Sequence, residues 1–293
     1  MSIKIDNVSY IYQKGTPFAR QALKDLTFDI HDNEILGIIG LQGSGKSTLL
    51  QILNGLIKPT KGRVWVDNQN IKSLTKKELK GLRQKVGLAF QHPEQQIFEL
   101  RVYDEIAFGP RNLGIDSWET EKRIREALDG VGLSFELFKD RPTNTLSSGE
   151  KRRVAIAGIL ALKPGYLLLD EPTSGLDFEG SEVLIDKLKV LNQKHMTTIV
   201  IVSHNLYYLT RICDRIMLLK DGGLILLEDT SLLTKYYKLL KEHFIEVPVF
   251  QGLIYQLNNR GWGLNTAVRT PQQAGLEIAK RLKTSSRGDK SRS

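Results

Sequence analysis

Residues 40–47 read Gly40-Leu41-Gln42-Gly43-Ser44-Gly45-Lys46-Ser47, a set of glycines, a lysine and a hydroxyl that suits phosphate chemistry. Glycines let consecutive backbone N–H groups turn inward toward phosphate oxygens, at the positive end of the helix that follows. Lys46 would bridge the β- and γ-phosphates of a nucleotide, and the Ser47 hydroxyl would ligate Mg²⁺. The flanks fit: an apolar run, Ile35–Ile39, leads in, and a helix-forming run, Ser47–Asn54, leads out. Without those flanks the octapeptide would be only a glycine-rich turn with an exposed lysine.

A second sequence supplies carboxylates. Tyr166-Leu167-Leu168-Leu169-Asp170-Glu171 is an apolar strand ending in two adjacent acids. Asp170 fits the magnesium-side acid of a P-loop ATPase, and Glu171 is then placed to orient or deprotonate an attacking water. Alone, such an ending is an ordinary acidic turn; it gains meaning from the glycine loop.

Strands must hold both sequences at one edge. Ile3–Tyr12 and Ala22–Ile30 alternate apolar and polar residues, as half-buried antiparallel strands do, whereas Glu34–Ile39 is continuously apolar. Gly62–Val66, Val86–Ala89, Thr198–Val202 and Arg215–Leu219 extend the strand pattern, with helical stretches at Glu179–Lys194 and Asn205–Ile212. Apolar strands alternating with helices predict a parallel sheet covered on both faces. From Val102 to about Leu162 the spacing is helical, as in Trp118–Val131 with its glycine stop at Gly132. Asp221-Gly222-Gly223 predicts a hairpin turn that closes the core. A helix through Glu242 and the segment to Leu282 form a small appendage, and no internal repeat is visible.

The 293 residues contain 41% hydrophobic and 26% charged side chains, which excludes wholesale disorder. A single cysteine, Cys213, excludes an internal disulfide and a cysteine zinc site, and reads as a small core residue. No leader-like pattern opens the chain, and no apolar stretch approaches the roughly 18 residues of a membrane span, so a soluble chain is expected. The net charge of +9 is concentrated: Lys280–Ser293 holds six basic residues and one acid. That Ser/Arg/Lys-rich end predicts a basic, disordered tail over 283–293 rather than a nucleic-acid surface, and no nucleic-acid partner is expected.

In order along the chain, the motifs resemble those of the nucleotide-binding subunits of ABC transporters. Leu146-Ser147-Ser148-Gly149-Glu150 stands where that family has LSGGQ, and Ser174-Gly175-Leu176-Asp177 resembles its D-loop. Ser203-His204 resembles its switch histidine, Gln91 its Q-loop glutamine, and Tyr12 the aromatic that stacks on adenine. The resemblance implies an α/β P-loop NTPase over residues 1–230. It has a mainly parallel central sheet, an N-terminal antiparallel β part and a helical subdomain at about 92–163, followed by a C-terminal extension over 231–282. It implies ATP and Mg²⁺ as cofactors, with Glu171, His204, Lys46 and Gln91 in catalysis. Tyr12, Gly40, Gln42, Gly43, Ser44, Gly45, Lys46, Ser47 and Thr48 would hold the chain's own nucleotide, and Ser147 and Gly149 the nucleotide of a partner. Ser47, Gln91 and Asp170 would face the metal.

Three further stretches resemble the energy-coupling factor (ECF) importer ATPases: Phe90–Phe98, Asp104–Pro110 and Lys151–Gly158, although His92 stands where those proteins usually have Asn. This implies an ATP-hydrolysing subunit of a vitamin or transition-metal importer, peripheral at the cytoplasmic face of the cell membrane. Its partners would be a second ATPase subunit in a head-to-tail homo- or heterodimer, a transmembrane coupling subunit and a small substrate-binding membrane subunit. An ABC-type ATPase acting on nucleic acid or ribosomes is the competing class. The signature departs twice from LSGGQ, at Ser148 and Glu150. Ser147-x-x-Glu150 is also a capping box, which accounts for the glutamate locally. Because a signature serves the partner's nucleotide, any weakness would fall on the partner's site and leave this chain's own site the more active.

Overall fold

The computed structural model describes residues 2–289. In chain order its elements begin β1 (Ile3–Tyr12), β2 (Arg20–Ile30), β3 (Ile35–Ile39), α1 (Lys46–Leu53), β4 (Lys61–Val66), β5 (Gln69–Asn70), α2 (Lys76–Lys85) and β6 (Val86–Ala89). A helical stretch follows: α3 (Val102–Asn112), α4 (Ser117–Asp129), α5 (Phe135–Phe138) and α6 (Ser148–Leu160). Strands and helices then alternate through β7 (Tyr166–Asp170), α7 (Phe178–His195), β8 (Thr198–Val202), α8 (Leu206–Ile212), β9 (Arg215–Lys220) and β10 (Gly223–Asp229). Beyond a 3₁₀ segment, Thr230–Tyr236, lie α9 (Tyr237–Glu242), α10 (Val249–Asn259) and α11 (Pro271–Asp289).

Two sheets form. β2-β1-β4-β5 is antiparallel, and β10-β9-β3-β8-β7-β6 is parallel except where β10 closes on β9. The central strands are buried on both faces, which is why they read as unbroken apolar runs. Their residues still alternate. Leu36, Ile38, Leu168, Val200 and Val202 face α1 and the antiparallel sheet, whereas Ile35, Ile39, Leu167, Leu169, Ile199 and Ile201 join the core shared with the helices. Gly37 falls in the second set, and a Cβ there would stand 2.9 Å from the Cys213 sulfur. The fully buried Cys213 caps the end of α8, so the small core residue read from the sequence fills the space that glycine leaves.

α3 and α4 pack on α6, forming a helical unit between β6 and β7. The C-terminal elements have a small core of their own: Phe250, Ile254, Leu264, Val268 and Ala274. α11 continues through Asp289, into the stretch expected to lack structure, and residues 290–293 lie outside the described residues. Among the described residues no helix is long and apolar enough to cross a membrane.

Candidate functional site

Parallel strands in one sheet deliver their C-terminal ends to the same edge, and that edge is where β3, β7 and β8 release the residues of interest. β3 runs into the glycine loop. Gly45 adopts φ +103° as the N-cap of α1, and a Cβ there would meet the Ala22 carbonyl at 2.5 Å, so a side chain is excluded twice over. A Cβ on Gly40 would come within 2.2 Å of the Leu219 carbonyl. No side chain caps α1, so its first N–H groups stay available to an anion.

Lys46 is buried and turns back over the loop, donating to the Gly40 carbonyl at 2.8 Å, the Leu41 carbonyl at 2.9 Å and Ser44 Oγ at 3.3 Å. Burial pushes its pKa down, an effect that the nearby Glu171 and Asp170 carboxylates oppose. Asp170, at the end of β7, moves the other way: burial raises its pKa while a hydrogen bond from Ser47 restrains it. A buried carboxylate bonded to a serine hydroxyl is a hard oxygen pair of the kind that suits Mg²⁺. Gln91 lines the same groove and adds a neutral oxygen.

Glu171 follows in the left-handed region, φ +51°, unusual for a residue other than glycine. Two contacts hold it there. Its N–H donates to the Val202 carbonyl at 2.9 Å, and its carbonyl accepts from Arg152 at 2.8 Å. The side chain meets His204 Nδ1 at 2.9 Å. Glu171 is nearly buried, whereas the His204 side chain is 75% exposed, so the histidine covers the carboxylate from the solvent side.

These residues line one groove of about 440 Å³ with Tyr12, Gly40, Gln42, Gly43, Gly45, Lys46, Ser47, Thr48 and Gln91. Ser44 stands beneath it, bonded to Lys46. The Tyr12 hydroxyl reaches Thr48 at 3.1 Å, and the Tyr10 ring meets its ring edge-on at 4.8 Å. Ser147 and Gly149 are not among the lining residues; they open α6 elsewhere, with Ser147 exposed. The capping box forms there as read, the Ser147 N–H donating to Glu150 at 2.7 Å and the Glu150 N–H to the Ser147 hydroxyl at 3.2 Å. Glu150 also pairs with Arg141 at 2.8 Å. Its partial burial pushes the carboxyl up, but the Ser147 N–H and Arg141 outweigh that and hold it below the usual range.

Two residues have places in the site that the sequence motifs do not assign. Arg20 lines the groove and stands opposite Tyr12 in the β1–β2 register, so pairing of the first two strands was the signal that could have found it. Arg152, 3% exposed, joins four parts of the site from the signature helix. It donates to the carbonyls of Glu171, Ser174 (2.5 Å) and Gln91, and to Glu94 Oε2 at 3.3 Å.

The doubly wound sheet, the glycine loop and the paired acids define a P-loop ATPase. The ABC transporter family model matches residues 23–174. An energy-coupling factor transporter ATP-binding protein, EcfA2, from Caldanaerobacter subterraneus subsp. tengcongensis is 44% identical over 97% of this chain and 98% of its own length. Among solved structures, CbiO1 from Clostridium perfringens, described as part of the ABC transporter complex CbiONQ, aligns with a TM-score of 0.73 at 35% identity, over 86% of this chain and 98% of that one. A dimeric ATP-binding cassette in a post-hydrolysis state with ADP and Pi gives a TM-score of 0.71 at 35% identity, over 78% and 98%. The chain belongs to the ABC transporter family, among the ATP-binding proteins of energy-coupling factor transporters. It binds ATP and couples its hydrolysis to transport across a membrane.

Proposed function

We propose that the chain is one of two ATPase subunits driving an importer for a micronutrient, a vitamin or a transition-metal ion, from the cytoplasmic face of the cell membrane. A transmembrane coupling subunit and a small substrate-binding membrane protein complete the assembly. The observation that carries this reading is the division of the site. Lys46, Asp170, Glu171 and His204 share one groove, while the signature residues Ser147 and Gly149 point elsewhere. A second subunit, docked head to tail, brings its own signature to this groove and receives this chain's signature at its own.

In the loaded groove the α1 N–H groups and Lys46 hold the β- and γ-phosphates, and Tyr12 stacks on the base. Ser47, Asp170 and Gln91 would hold Mg²⁺, which would supply neutralisation of phosphate charge. Glu171 takes a proton from the attacking water, and His204 contacts the γ-phosphate and fixes the water's approach. Hydrolysis removes the group that both subunits hold, so the dimer opens.

The membrane subunit would dock beside Gln91. Phe98, seven residues beyond Gln91, and Phe108 are exposed, 60% and 45% respectively, and meet edge-on at 4.8 Å. Apolar side chains gathered on an otherwise polar surface mark an interaction site. Opening and closing of the dimer would move that docking face through Arg152, which ties Gln91 to the Glu171 backbone. Uptake of labelled vitamins and of Co²⁺ or Ni²⁺ into vesicles carrying the purified complex tests the substrate class. ATP-dependent accumulation of one of them, lost in Glu171→Gln, is the expected result; accumulation of none contradicts the importer reading.

A further inference from the structure

Helix α8 begins two residues after His204, and both of its ends are held. At the first end, the Asn205 N–H donates to Ser203 Oγ at 3.1 Å and the Tyr207 N–H to Asn205 Oδ1 at 3.0 Å, leading the histidine loop directly into the helix. At the other end, the Cys213 carbonyl accepts two hydrogen bonds, one from the last residue of the ATPase domain and one from the C-terminal extension. Thr230 Oγ1 donates at 2.8 Å, and the Arg269 guanidinium at 3.1 Å. Tyr207 sits between the two bodies, packed against the main core and against the small core of Phe250, Ile254, Leu264 and Val268.

The foot of α8 is fixed as well. The Asp214 N–H donates to the Ile35 carbonyl at 2.8 Å, and its carboxylate accepts from the Ile35 N–H at 2.9 Å, which anchors it to the strand feeding the glycine loop. A helix of this length spans only about 10 Å. With its foot pinned to β3, what is left to adjust is its tilt, which is set by α7, whose Glu182 and Asp186 pair with Arg211, and by the extension through Tyr207 and Arg269. Arg269 is itself braced, since its N–H donates to Gln273 Oε1 at 2.8 Å. Thr234 Oγ1 donates to the Thr266 carbonyl at 3.1 Å, joining the segment that carries Thr230 to the one that carries Arg269.

We propose that Arg269 is a positioning residue for His204, acting through α8, so that the C-terminal extension sets how fast the nucleotide in this chain's own groove is hydrolysed. The inference rests on the reading of His204 as the γ-phosphate contact. Arg269 touches neither the nucleotide groove nor Glu171, so its influence falls on the chemical step and not on ATP binding. Replacing it leaves the Cys213 carbonyl still paired with Thr230, so no buried acceptor is orphaned.

The test is steady-state ATP hydrolysis by the full-length chain, assembled with the subunits that co-purify with it, for the wild type, His204→Ala, Arg269→Ala and the double variant. Arg269→Ala should lower kcat about fivefold with KM for ATP changed less than about twofold, and should cause no further loss in the His204→Ala background. Arg269→Lys, which restores a donor to the carbonyl, should recover most of the rate. Independent, multiplying losses in the double variant would overturn the proposal, as would a fall in thermal midpoint with kcat intact. Where Arg269→Ala does not assemble, the isosteric Thr230→Val removes the other donor to the same carbonyl and is read in the same cycle. If His204→Ala alone leaves kcat unchanged, the role of the histidine falls; if it lowers kcat while the Arg269 and Thr230 variants do not, only the coupling falls.

Discussion

His204 Nδ1 lies 2.9 Å from Glu171 Oε2, so the residues that follow two neighbouring parallel strands meet over the nucleotide groove. In the proposed mechanism the contact would let the imidazole orient the carboxylate before water arrives, and would tie the proposed base to whatever moves the histidine. Glu171→Gln keeps the shape and the hydrogen-bonding reach of the side chain but removes its basicity. It should lower kcat for ATP hydrolysis about a hundredfold or more while leaving ATP binding intact, as single-turnover and equilibrium binding measurements would show.

Burial raises the pKa of Asp170, and the direction has a consequence for stability. A carboxyl raised in the folded state holds its proton more tightly there than in the unfolded chain. Stability is therefore lost as pH rises from the ordinary carboxylate range through the folded pKa, and the ionised group opposes folding at neutral pH. Asp170→Asn should raise the thermal midpoint of the nucleotide-free protein at pH 7 and abolish the additional stabilisation by Mg-ATP. Thermal melts with and without nucleotide at pH 5 and pH 7 check both parts, and the gain over wild type should shrink at the lower pH.

Arg152 is a buried cation whose partners are three backbone carbonyls and Glu94. Arg152→Ala would strand the Ser174 and Gln91 carbonyls and leave that of Glu171 with the Ser174 N–H alone, a loss of about 3 kcal/mol or more on the scale of a broken buried pair. Denaturant unfolding should report that loss, and residual ATPase activity should fall further than stability alone requires, because Glu171 loses one of the contacts that hold its left-handed backbone. Arg152→Lys cannot reach four acceptors and should fall between the two.

Glu150 already has its charge engaged by the Ser147 N–H and Arg141. Glu150→Gln should therefore cost stability, about 0.5–1 kcal/mol, and change turnover at the partner's site little. In a heterodimer, Glu171→Gln in this chain should remove more turnover than the matching change in a partner with a regular signature. Equal losses from the two would contradict unequal sites.

Elements defined by local pattern were legible before any coordinates. Ile3–Tyr12 and Thr198–Val202 coincide with β1 and β8, and the Ser147–Glu150 capping box forms as read. Helix α2 was passed over because it is polar on most faces, although Thr75 and Glu78 carry the same box motif at its start. Arg20 and Arg152 act through partners distant in sequence, Arg20 by strand register and Arg152 by contacts with Gln91, Glu171 and Ser174, and no local spacing announces such contacts. Composition does not say where a helix stops: α11, begun by Pro271 and tied to the small core through Ile278, runs to Asp289.

The most direct test of the assembly is affinity purification of the full-length tagged chain from membranes solubilised in mild detergent, with every co-purifying polypeptide identified. Recovery of a polytopic membrane subunit and a second ATPase, both lost when Phe98 and Phe108 are replaced by Asp in the case of the membrane subunit and when Ser147 is replaced by Arg in the case of an ATP-stabilised dimer, is the expected outcome. A chain that stays free of membrane protein and brings nucleic acid or ribosomal proteins would contradict the importer assembly proposed for it.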